Sequence, residues 1–192
     1  MKRIFLSIVA KLAMVCSVNA QSSEDFELSE KRAARLQALV DDYKASGNES
    51  IDGYGDAVKV AAVAAIANSV QLENLYKRQI GETVDGVTDV TITKPTLEEW
   101  IALSESIALE GVSIKTATDK VQAAADEAKT MTKDASKQKN PMKAAKAAKQ
   151  AKAATAVVEF GNVATPILVE DSAAQAKAVK NIIETIKSGK NL

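Results

Sequence analysis

The sequence predicts an all-α protein, an elongated antiparallel bundle of about four long helices. Three observations carry that expectation. Apolar residues recur at three- and four-residue spacing along most of the chain. Residue types that start and stop helices fall where this periodicity begins and ends. Two-residue alternation is confined to one short segment, residues 83–93.

The first 20 of the 192 residues read as a secretory signal. Met1, Lys2 and Arg3 make a positive start, and an apolar stretch from Ile4 to Cys16 follows, interrupted by Lys11. Val18 and Ala20 occupy the −3 and −1 positions of a cleavage site. The apolar run is shorter than the roughly 20 residues that a permanent membrane span needs. The expected location is therefore outside the cytoplasm, in a bacterial periplasm or beyond, after cleavage behind Ala20. Residues 21–192 are then one helical domain. Cys16 follows the bulky Val15 rather than a small residue, which argues against lipid attachment.

Composition removes whole classes of chemistry. There is no histidine, and the single cysteine lies in the signal. Histidine bases, Ser-His and Cys-His nucleophiles, thiolate metal sites and disulfides are all excluded from the exported chain. No glycine-rich phosphate loop is present. The sequence therefore names no catalytic, cofactor-binding or metal residue, and a non-enzyme is expected. Removing three bases and no acid from a chain of 25 bases and 25 acids leaves a net charge of −3. Nucleic acid is not the expected partner.

The first helix is placed at 24–46, where Leu36, Leu39, Val40 and Tyr43 share one face before Gly47. A glycine-containing loop is expected over 46–55, then a second helix over 55–80, with Val58–Ala67 apolar almost all round. Residues 83–93 carry Asp85-Gly86 between valines and read equally as a small β-hairpin or an extended loop. The third helix opens on a capping box, Thr96 with Glu99. It then carries a seven-residue seam: 107, 114, 121, 128 and 135 with 103, 110, 117, 124 and 131, broken only by Glu110. The last helix starts at Pro141 and is expected to kink or break at Pro166. The aromatics Tyr43, Tyr54, Tyr76, Trp100, Phe160 and Phe26 are expected near helix ends, closing the bundle.

Glu98, Glu99, Glu105 and Glu110 read as one solvated face beside Lys115 and Lys120. Asn48, Ser50, Asp52, Gly53, Tyr54 and Asp56 follow the offsets of a calcium loop, but Lys59 stands where a bidentate glutamate is required. A polar interhelix loop is the preferred reading. The most distinctive stretch is basic. Lys129, Lys133, Lys137, Lys139, Lys143, Lys146, Lys149 and Lys152 face only Asp134, for a local charge of +7. Lys137, Lys139, Lys143, Lys146, Lys149 and Lys152 are the candidate contact with an anionic surface such as lipid headgroups. Two plainer readings compete: a solvated tip, and pairing with Glu24, Asp25, Glu27 and Glu30.

The leading expectation is an exported, non-catalytic bundle that acts by binding or as a structural part of the envelope. One alternative is a membrane-active protein that uses Val58–Ala67, lipid-binding or pore-forming in kind. The other is a small-ligand carrier or enzyme with a cavity between helices. The heptad seam serves the bundle itself, self-association or a protein partner, and periodicity does not separate these.

Overall fold

The computed structural model describes residues 23–84, 87–89 and 92–189. The expected signal and its cleavage position lie outside them. The elements are α1 (Ser23–Asp42), α2 (Glu49–Ile80), β1 (Glu82–Val84), β2 (Val87–Asp89), α3 (Leu97–Lys137) and α4 (Pro141–Lys187). The protein is an all-α bundle. Ser29 meets Ser69, Arg78 meets Glu99, and Asn68 meets Glu110, so each of α2 and α3 runs antiparallel to its predecessor. Gly55 lies by Val157 and Ser69 by Asp171, so α2 and α4 run parallel. α1 packs on α2 and α4.

α2 begins six residues earlier than expected, at Glu49. The loop between α1 and α2 shrinks accordingly, and Gly53 and Gly55 are helical. The cause is capping. Asn48 Oδ1 accepts the amides of Ser50 and Ile51 at 3.1 and 3.2 Å. The Asp52 carboxylate reaches back to the amides of Ser46 and Gly47 at 2.6 and 2.8 Å. Four orphan amides are thereby satisfied by two side chains. The residues of the calcium-loop pattern thus stand at the start of a helix, and Asp52 is engaged as a backbone acceptor.

The short alternating segment forms the hairpin, with Glu82 opposite Asp89, Thr83 opposite Thr88 and Val84 opposite Val87. Its expected turn, Asp85-Gly86, lies outside the described residues. α3 starts on the expected capping box: Thr96 Oγ1 accepts from the Glu99 amide at 3.3 Å, and Glu99 Oε2 from the Thr96 amide at 2.8 Å. Glu99 also forks onto Arg78 at 2.6 and 3.2 Å, which holds its carboxyl below the usual range. Thr96→Ala is expected to cost about 1 kcal/mol of stability, read from urea denaturation midpoints. α4 passes through Pro166 without a break. Proline removes one backbone bond to the preceding turn, and packing on three neighbours outweighs that loss.

The core has two apolar clusters. One gathers Leu36, Ile51, Tyr54, Val58, Val157 and Leu168, with alanines of α2, α3 and α4 between them. The other gathers Leu72, Leu75, Trp100, Leu103, Ile107, Val179 and Ile182. Two of the aromatics depart from the expected ends. Phe160 lies in mid-α4, 4.9 Å from the Tyr43 ring, and Tyr54 is buried inside α2. Residues Val58, Ala61, Ala62 and Ala65 of the apolar stretch are fully buried. No described helix is long and apolar enough to cross a membrane.

Candidate functional site

α2 ends at its N-cap Asn48, whose Nδ2 lies 3.2 Å from Glu127 Oε1 and 3.7 Å from Met131 Sδ. Beyond that level only α3 and α4 continue. They run on for about 10 Å at 1.5 Å per residue and turn through Gln138–Asn140. The turn is built by Asn140, whose Oδ1 accepts the amides of Met142 and Lys143 at 3.0 and 3.2 Å, followed by Pro141 in the first helical position. No residue from 129 to 150 is buried. The hairpin is therefore a projection that adds almost nothing to the core.

Its lysines are all exposed. Lys129 and Lys137 have loose partners, Asp126 at 3.6 Å and Asp134 at 3.4 Å. Among the described residues, Lys133, Lys139, Lys143, Lys146, Lys149 and Lys152 form no ion pair. Of the acidic N-terminal segment, the side chains of Glu24, Asp25 and Glu27 lie outside the described residues, and Glu30 pairs with none of these lysines. Ser29, near the start of α1, bonds Asp171. Along α4, Asp171 is about 28 Å from Lys152 and about 42 Å from Lys143.

The lysines also sit against local electrostatics. The first turn of α4 holds no acid and carries Lys143 instead, where the helix dipole disfavours a cation. Lys143, Lys146, Lys149 and Lys152 repel one another at successive three-residue steps. The arrangement opposes folding locally, and no residue from 129 to 150 is fully buried to offset it. Between the two arms lies a shallow cleft of about 550 Å³, lined by Thr132, Ala135, Ala144, Ala148, Ala151 and Lys152 among others.

A second cluster occupies mid-bundle, between the two apolar clusters. Glu110 was expected on a solvated face. It is instead 1% exposed, as are Gln175 at 1% and Asp171 at 0%. The reason is its register: position 110 belongs to the seam that faces α2 and α4. Asn68 Nδ2 donates to Glu110 Oε2 at 2.8 Å, and Ser106 Oγ donates to Asn68 Oδ1 at 2.7 Å. Gln175 Nε2 donates to Asp171 Oδ2 and to Ser69 Oγ, each at 2.7 Å. Arg32 binds Glu170 at 2.6 Å and reaches Asp171 at 4.0 Å. Burial pushes both Glu110 and Asp171 above the usual carboxylate range. Sequence held one signal for this layer, the charge at position 110 in an otherwise apolar series. Asp171 and Gln175 carried none.

Among the described residues no three acidic side chains converge as a metal site. The chain matches no protein-family model, no curated protein and no solved structure.

Proposed function

We propose that this is an exported, non-catalytic helical-bundle protein that acts by binding, and that its projecting lysine hairpin seats it on an anionic surface, the headgroups of a lipid bilayer. One observation carries the reading: no residue from 129 to 150 is fully buried, yet the stretch 129–152 holds eight lysines, six of them without an ion pair among the described residues. A surface that serves only solubility would mix both signs. Each lysine near an anionic membrane contributes about 1 kcal/mol of attraction, so six or more make a firm and salt-sensitive contact. The core position of Val58, Ala61, Ala62 and Ala65 favours this peripheral mode over insertion of that segment.

The test is a chain with Lys143, Lys146, Lys149 and Lys152 all changed to glutamine. These side chains are exposed and their mutual repulsion is removed, so its melting is expected at or slightly above that of the parent. Its affinity for phosphatidylglycerol vesicles is expected to fall about a thousandfold, at about 1 kcal/mol per lysine. Unchanged vesicle affinity in a folded variant refutes the assignment to the hairpin.

A further inference from the structure

We propose that Glu110 is a buried proton-binding site, and that its proton sets how firmly α3 is held against α2 and α4. Two carbonyl-type oxygens of the polar layer are left over. Glu110 Oε1 and Gln175 Oε1 are both buried oxygens without a hydrogen-bond partner. The other oxygen of Glu110 is fixed by Asn68, whose amide is oriented by Ser106. A proton on Glu110 removes a buried charge and turns one of its carboxyl oxygens into a donor.

The charged groups around it give the ionised form no relief. From α4, Asp171 faces it as a second buried carboxyl. From α1, the Arg32 guanidinium is committed to Glu170 and Asp171. From α2 the neutral Asn68 meets Glu110, while Ser69 meets Asp171. Burial above all pushes Glu110 up to about 7; Asn68 opposes the rise, Asp171 adds to it, and Ser172 opposes it weakly. In the unfolded chain the same group returns to its ordinary 4.5. The folded state thus holds the proton over a range where the unfolded state has lost it. Stability is full below that lower value, falls as pH rises between the two, and levels off above the upper one. The linked change in the folding constant is on the order of a hundredfold. Since the layer joins the two apolar clusters, deprotonation loosens the bundle at its middle.

The experiment follows the Glu110 side-chain carboxyl carbon by NMR in the full chain, beside pH-dependent denaturation of wild type and Glu110→Gln. The expected midpoint is near neutral. The wild-type folding constant should fall, relative to the variant, on the order of a hundredfold from about pH 5 to about pH 8. Amide exchange in α3 around residue 110 should quicken above the midpoint in the wild type alone. A midpoint in the ordinary carboxylate range overturns the proposal, as does an equal pH slope in Glu110→Gln. A midpoint that shifts with added sodium or calcium also overturns it, because a metal cation then fills the place given to the proton. If the variant fails to fold, the wild-type titration decides alone.

Discussion

Trp100→Ala is expected to destabilise the bundle by about 4 kcal/mol, the range of large-to-alanine changes in closed cores. Trp100 is fully buried and is the largest side chain of the cluster that includes Leu72, Leu75, Leu103, Val179 and Ile182. Much of the cluster around it is aliphatic and helix-bound, so little can move into the void. For a chain of this size that loss lowers the melting temperature by about 12 °C. The indole adds a finer test. Its Nε1 is buried with no hydrogen-bond partner. Trp100→Phe removes an unsatisfied donor along with some volume, so the two effects offset and the loss should be only about 1 kcal/mol. Thermal and urea unfolding of the two variants separate ring volume from the polar group. Equal losses would mean that ring volume does not set the cost of truncation.

Gly161→Ala is expected to cost about 2 kcal/mol, although alanine is normally the better helix former by about 1 kcal/mol. A methyl on Gly161 would overlap the hydroxyl and ring of Tyr54, itself 1% exposed. The same crossing brings Gly55 against Val157, where an added Cβ would stand 2.6 Å from a side-chain carbon. α2 and α4 can approach this closely only because each presents a glycine there. The penalty of overpacking, about 1–3 kcal/mol, outweighs propensity. Gly111 supplies the control. It is helical and a methyl there meets nothing within 4 Å. Gly111→Ala should therefore stabilise by about 1 kcal/mol. Calorimetric melting of both variants gives opposite signs if close approach is the reason for Gly161. Two shifts of the same sign would remove that reason.

What sequence could show depended on whether the signal was local. The capping box at Thr96 and the seam on 103–131 were legible because both rest on spacing within one helix. The start of α2 was missed although its Asn48 cap is local, because Gly53 and Gly55 read as loop residues; Gly55 is there for close packing, with Val157 and Tyr43 against it. Pro166 was read as a kink or a break, and the packing that carries α4 through it unbroken comes from other helices. The projecting hairpin was half visible. Its lysines stood out, but their distance from Glu30 of α1 is a matter of helix direction. The polar layer was nearly hidden. Glu110 interrupts an apolar series, whereas Asp171 and Gln175 lie in an alanine-rich run where either face can turn inward.

The account rests most directly on the lysine hairpin as an anionic-surface contact. Its sharpest test is sedimentation of the protein with neutral and with phosphatidylglycerol-containing vesicles, at low and high salt, while dye release is followed. Binding to the anionic vesicles alone, lost at high salt and without leakage, is the expected result. Protein that stays in solution with anionic vesicles at low salt would contradict it. So would binding that survives high salt and releases dye, which would move the contact from the lysines to the apolar stretch of α2.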